Sequence, residues 1–326
     1  MRIYITGIAG FVARHFVEML STADDTFQVL GIYNSTPPNF TAENFSNVKL
    51  EFLQCDLRNK EAVKRSIKDF RPHYILHLAS KSSVAYSWQK PGELVLENSE
   101  IFINILESLR ELKSKCRMLS VGSAEEYGII AGKSLPLKET YRTNPVSPYG
   151  AARVLQNNLV NIYSTNYGLD LIHTRSFNHI GAFQNKNFVI GSFVNQISEQ
   201  LEEGKKDLTL IVGDIEVIRD FTDVRDVVRA YYDLLQFGHT GETYNVCSGK
   251  GYKLKNIIRI FENITGASIT TVTNKNNFRP SENKEIVGSY EKLHEATGWE
   301  PKISMEKTLT DLLEYWRVYH RYNLQN

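Results

Sequence analysis

The sequence predicts an α/β chain: a doubly wound parallel sheet in its first half, joined to a smaller C-terminal α/β lobe. Two observations carry this. Short apolar runs alternate with helical periods through the first 175 residues, the pattern of parallel strands covered on both faces. A pair of glycines, Gly7 and Gly10, falls at the first strand–helix junction, where a nucleotide-binding turn of Rossmann type needs them.

The elements follow in order. Arg2 to Thr6 reads as a buried strand and Gly10 to Leu20 as a helix. Strands are predicted over 28–33, 50–54, 74–78, 118–121 and 169–174, with helices over 60–70, 94–112 and 148–167. Beyond Arg175 the rhythm loosens to a loop at 181–187, a helix at 189–203 and a short strand at 209–212. A helix at 223–237, a strand at 243–246, a helix at 253–265 and a closing helix at 305–321 follow. No repeat or flexible linker interrupts the chain of 326 residues, so the second half is expected to pack onto the first.

Composition excludes several classes. A net charge of +1 leaves no electrostatic footprint for nucleic acid or an anionic membrane. No segment reaches membrane-spanning length, and the apolar start at Met1 is too short for a signal peptide. Cys55, Cys116 and Cys247 lack metal-ligand or redox-pair spacing, so no metal site is expected. They read as reduced thiols of a cytoplasmic protein.

Gly7 permits the tight turn, Gly10 lets a pyrophosphate approach the helix N-terminus, and Ala13 allows close helix–sheet packing. The second strand ends Tyr33-Asn34, with neither the acid that favours NAD nor the arginine that favours NADP. Both cofactors therefore remain open. Asp56 stands where a carboxylate could accept from an adenine amino group, or could cap the helix at Lys60.

Tyr149 and Arg153 stand four residues apart, on one face of the predicted helix. A phenol beside a fixed cation is the arrangement that lowers a tyrosine pKa toward working pH. The pair is accompanied by His77-Leu78-Ala79-Ser80-Lys81-Ser82-Ser83-Val84, Gly122-Ser123-Ala124-Glu125-Glu126-Tyr127-Gly128 and His173-Thr174-Arg175-Ser176-Phe177-Asn178-His179. Further on come Arg219-Asp220-Phe221-Thr222-Asp223, Tyr244-Asn245-Val246-Cys247-Ser248-Gly249 and Arg279-Pro280-Ser281-Glu282. With these segments the whole chain resembles the extended short-chain dehydrogenase/reductase family, in its nucleotide-sugar branch.

The resemblance implies NAD(P)H-dependent reduction of the C4 ketone of a nucleotide-linked 4-keto-6-deoxyhexose, GDP being the expected nucleotide. Ser123 would bond the ketone oxygen, Tyr149 would donate the proton, and Arg153 would hold the nicotinamide ribose. The dinucleotide would lie along Gly7, Gly10, Phe11, Val12, Asp56, Leu57, Leu78, Ala79, Lys81, Asn98, Val121, Tyr149, Arg153 and Phe177. The nucleotide sugar would be met by Ser83, Ser123, Glu125, Asn178, Val189, Arg219, Arg279 and Glu282. Residues 1–176 and 220–247 would form the dinucleotide domain, and 177–219 and 248–326 the sugar-nucleotide lobe. The helices at 94–112 and 148–167 would build a homodimer, although their apolar faces could equally be internal core.

Two positions depart from the family's pattern. Arg153 replaces the usual lysine, exchanging a compact ammonium for a planar fork. Asn98-Ser99-Glu100-Ile101-Phe102 lacks the small residues usual after that asparagine. A dehydratase, epimerase or 4-dehydrogenase that retains NAD is the competing enzymatic reading, and a poorly active nucleotide-sugar-binding member the non-catalytic one.

Overall fold

The computed structural model describes residues 1–130, 135–274 and 283–325. Its main sheet joins β1 (Arg2–Thr6), β2 (Phe27–Tyr33), β3 (Val48–Gln54), β4 (Tyr74–His77), β5 (Arg117–Val121), β6 (Leu171–Ser176) and β10 (Thr243–Val246). Every pairing is parallel, in the order β10-β6-β5-β4-β1-β2-β3. The chain therefore reverses direction across the sheet between β1 and β4, the switch point at whose carboxyl edge such sheets bind ligands.

Strand alternation sends side chains to two separate cores. Ile3 and Ile5 face α1 (Phe11–Ser21) and α7 (Val224–Phe237), where Phe16, Val17, Val227, Tyr231 and Leu234 are buried. Tyr4 faces the opposite layer, built from α2 (Lys60–Phe70), α4 (Pro91–Glu111) and α5 (Pro148–Tyr167). There Ile67, Phe102, Ile105, Leu106 and Val160 are at most 2% exposed. Each such side chain stabilises the fold by roughly 1.5–3 kcal/mol through burial. Ile101 and Phe102, which replace the family's small residues, are thus core material, and α4 still packs along α5.

The remaining strands form two small sheets. β9 (Ile218–Asp223) pairs with β7 (Asn178–Ile180), β11 (Gly251–Lys253) and β13 (Glu285–Ile286), and β8 (Asp207–Val212) pairs with β12 (Ser268–Thr273). A further core joins β8 to α6 (Val189–Glu202), α8 (Leu254–Thr265) and α10 (Met305–Gln325). Sequence periodicity missed β7, β9, β11, β12 and β13, together with α3 (Val84–Gln89) and α9 (Glu291–Thr297). All are seven residues or shorter and lie outside the main sheet and its long covering helices. The stretch 220–223, expected in the dinucleotide domain, pairs as β9 within the smaller sheet.

Candidate functional site

At the carboxyl edge β1 ends in Thr6, fully buried, whose Oγ1 accepts from the amides of Leu78 and Ala79 at 3.1 Å each. With two donors already aimed at it, the hydroxyl gives its own hydrogen to His77 Nδ1, 2.9 Å away. Burial, aided by the charge of Arg153, pushes the His77 pKa down to about 3, so this ring is neutral. Gly7 follows at φ +72°, and a Cβ there would stand 2.9 Å from Ala79 N. Only glycine combines that backbone with that approach. Gly10 caps α1 without a side chain over the helix end, and Phe11 stacks on His179 at 5.7 Å. Val12 packs against the core.

Several expected cofactor contacts have other partners. Asp56 is gripped by Arg58 through a 2.7 Å fork, and chiefly this bond holds its carboxyl below the usual range. It does not cap α2: Asn59 does, accepting from Ala62 N at 3.1 Å. Leu57 is buried, its carbonyl held by Asn104. Asn98 clamps the backbone of Lys81, accepting at 2.8 Å and donating at 3.2 Å. The Lys81 ammonium turns instead to Glu93 and Glu97. Phe177 is 3% exposed and packs on Tyr127.

The serine, tyrosine and arginine that the sequence singles out lie on the turn after β5 and on α5. Ser123 opens a one-turn 3₁₀ helix (Ala124–Glu126), and its Oγ accepts from Glu125 N at 3.2 Å. The hydroxyl hydrogen is left to donate elsewhere. Ser147 caps α5 by accepting from Gly150 N at 3.1 Å, with Pro148 at the first helical position. A Cβ on Gly150 would stand 2.6 Å from Glu125 O, so the helix start lies directly on the serine turn. Tyr149, the residue before Gly150, packs on Leu94 and Ala152. Tyr149 and Arg153 are 7% and 5% exposed, with the guanidinium 5.1 Å from the phenol ring centre.

Arg153 donates through Nη1 to Val121 O at 3.1 Å and Gln156 Oε1 at 2.6 Å, and through Nη2 to Ser80 Oγ. Its Nε is buried without a protein partner. An orphaned donor beside a glycine-shaped turn fits the hydroxyl oxygen of a bound dinucleotide's ribose.

Toward the smaller sheets, Asn178 and Val189 are exposed, and Asn178 donates to Asp220 O. Arg219 is 9% exposed on β9. Ser83 caps α3. Arg279 and Glu282 lie outside the described residues. Two concavities of about 530 and 800 Å³ are lined by Arg2, Lys49, Lys68, His73 and Arg117 among others, at the amino ends of the strands. They are remote from these groups.

Sequence reasoning assigned no role to Glu126, His173 or Arg175. Glu126 is fully buried, bonding His173 Nε2 at 3.0 Å, Arg175 Nε at 3.1 Å and Ser123 N at 3.1 Å. Burial pushes its pKa up, but the interactions with His173 and Arg175 outweigh this and leave it lowered. A signal was available: His173 and Arg175 alternate on β6 and so share a face.

The sheet order, the glycine turn and the serine–tyrosine–arginine constellation define an extended short-chain dehydrogenase/reductase, a class of NAD(P)-dependent enzymes. Within it, the chain belongs to the family described as GDP-mannose 4,6 dehydratase, whose model matches residues 4–312. It is 30% identical to the GDP-6-deoxy-D-mannose reductase of Pseudomonas aeruginosa, over 97% of both chains. The solved structure of RMD from Pseudomonas aeruginosa complexed with NADPH is similar, with a TM-score of 0.85 and 29% identity. It covers 98% of this chain and 99% of that one. UDP-glucose 4-epimerase from Thermotoga maritima with UDP-glucose gives a TM-score of 0.86 at 27% identity, over 98% and 100%.

Proposed function

We propose that this protein reduces the C4 ketone of a nucleotide-linked 4-keto-6-deoxyhexose with NADPH or NADH, converting GDP-4-keto-6-deoxy-D-mannose to GDP-D-rhamnose. The observation that carries this reading is the burial of Tyr149 and Arg153 on one face of α5, laid against the Ser123 turn. The reductase and the NADPH complex from Pseudomonas aeruginosa support the substrate class and the cofactor.

When bound, the nicotinamide supplies hydride to C4. The Ser123 hydroxyl donates to the ketone oxygen and fixes its position. Tyr149 passes its phenolic proton to that oxygen as the carbonyl electrons move onto it, and solvent restores the phenol. Arg153 holds a positive charge beside the ring and offers Nε to the ribose. Gly7, Gly10, Phe11 and Val12 receive the pyrophosphate at the start of α1. Ser83, Glu125, Asn178, Val189 and Arg219 hold the sugar nucleotide, with Arg279 and Glu282 on its diphosphate and ribose.

In this reading 1–176 and 220–247 serve the dinucleotide, and 177–219 and 248–326 the sugar nucleotide. Two chains pair through α4 and α5, where Leu96 and Ile103, and Leu155 and Ile162, expose apolar stripes at seven-residue spacing. Among the described residues no helix is long and apolar enough to cross a membrane, and the three cysteines are buried and free. Both support a cytoplasmic enzyme.

The test is nicotinamide oxidation on mixing protein, NADPH or NADH, and GDP-4-keto-6-deoxy-D-mannose. No oxidation above background rejects the reductase. The family's dehydratase and epimerase chemistry is the second reading, favoured by a glutamate, Glu125, on the same turn as Ser123. Protein that purifies with NAD and converts GDP-mannose without added cofactor would establish it.

A further inference from the structure

Behind the reacting residues runs a chain of hydrogen bonds that connects them a second time. Arg153 Nη1 meets Gln156 Oε1 at 2.6 Å, and Gln156 Nε2 meets Ser120 Oγ at 2.7 Å. Ser120 Oγ lies 3.0 Å from His173 Nδ1, and His173 Nε2 lies 3.0 Å from Glu126 Oε1. That same oxygen accepts from the amide of Ser123 at 3.1 Å. Every side chain of the series is at most 5% exposed, so water does not compete for its bonds.

The direction of each bond follows from its first member. A guanidinium only donates, so Gln156 must present its oxygen to Arg153 and its amide nitrogen to Ser120. Ser120 Oγ then accepts from Gln156, and among the described residues the only acceptor within reach of its own buried hydrogen is His173 Nδ1. The imidazole must therefore be bare at Nδ1 and protonated at Nε2, donating to the Glu126 carboxylate. Other groups reinforce this arrangement: Arg175 and Asn157 donate to Glu126 Oε2 at 3.1 and 3.3 Å, and Gln156 Nε2 also reaches Val121 O at 3.2 Å. Gly122 is required beneath the relay, because a Cβ there would overlap His173 Nε2 and Glu126 Oε1.

We infer that Gln156 is a positioning residue: it sets the polarity of a buried relay that ties the cation beside Tyr149 to the backbone amide of Ser123. Arg153 and Ser123 come from different elements, α5 and the turn after β5, and the relay joins them through buried bonds. The amide group is suited to this role because it accepts on one side and donates on the other. A carboxylate or a hydrocarbon of the same size does only one of these, or neither.

The kinetic arm of the test rests on the reductase reading; the spectroscopic arm does not. Nitrogen-15 spectra of the histidine rings near neutral pH, with His173 assigned through His173→Gln, should show a hydrogen on Nε2 and none on Nδ1. A wild-type His173 protonated at Nδ1 overturns the inference, even if no variant folds. Gln156→Leu and Gln156→Glu should both move the His173 Nδ1 resonance. Both should lower kcat by roughly 10-fold, the loss of about one buried hydrogen bond, with KM for NADPH and the sugar nucleotide within about 3-fold. Glutamate keeps an acceptor for Arg153 but cannot donate to Ser120. Full kcat in Gln156→Glu would show that gripping Arg153 is all that Gln156 does, and would overturn the relay. A wild-type protein inactive on the keto-sugar would reject the reductase while leaving the ring spectra to decide this point.

Discussion

Arg153→Lys isolates what the guanidinium contributes beyond its charge. The substitution restores the residue usual in the family and preserves one positive charge, so a purely Coulombic role for Arg153 predicts unchanged or improved turnover. The geometry predicts a loss. Arg153 holds Ser80 Oγ after β4, Val121 O at the end of β5 and Gln156 Oε1 one turn along α5. Two separate nitrogens span these three acceptors. A single ammonium on a shorter stem reaches one or two of them, leaving at least one buried acceptor unpaired at roughly 1–3 kcal/mol. If that misalignment is felt in the transition state, kcat falls by about 5- to 150-fold. Steady-state oxidation of NADPH with GDP-4-keto-6-deoxy-D-mannose measures it, with urea unfolding alongside to separate rate from stability. A lysine variant that turns over as fast as the parent would refute the claim that this pocket is built for a planar fork.

Tyr149→Phe removes the proposed proton donor while keeping the ring on Leu94 and Ala152, so kcat should fall by about 10²- to 10⁴-fold with the fold intact by circular dichroism. Gly7→Ala forces a side chain onto a φ of +72° and against Ala79 N; fluorescence titration should show NADPH affinity collapsing, and unchanged affinity would contradict the assignment of this turn. Glu126 has a lowered folded pKa, so below its ordinary 4.5 the unfolded chain binds the extra proton and stability drops as the solution is acidified. Urea midpoints should fall more steeply with acid in the parent than in Glu126→Gln. The variant should already be weaker by roughly 3–5 kcal/mol at neutral pH, from stranding His173 and Arg175. Sedimentation should give twice the mass of one chain, and Leu155→Glu with Ile162→Glu should return it to one; a parent of single-chain mass removes the α4–α5 pairing.

The elements legible in the sequence share one property: their apolar period is long enough to be read without neighbours. The helices at 60–70 and 148–167, the strand at 243–246 and the first strand were delimited to the residue. The glycine turn was equally plain, because a tight turn and a close backbone approach restrict the residue locally. The spacing of Tyr149 and Arg153 placed them on one helical face before any contact was known. Strand β9 shows the opposite case. Arg219-Asp220-Phe221-Thr222-Asp223 reads as polar chain, yet all five residues are at most 9% exposed. Asp220 is tolerated there because it accepts from the amides of Ser248, Gly249 and Gly288 and from the Ser248 hydroxyl, partners 28 to 68 residues away. Burial still pushes its carboxyl up to about 6.

By itself, then, the sequence determined the alternation of strands and helices, the place of the glycine turn and the shared helical face of Tyr149 and Arg153, since each depends on spacing within one or two turns of chain. Only the tertiary structure decided how Glu126, His173, Ser120 and Gln156 join behind those residues, and why an arginine is at home at 153. Donor–acceptor polarity in a buried network depends on which strands lie side by side. That adjacency is set by the packing of the whole sheet and is written in no local stretch of residues.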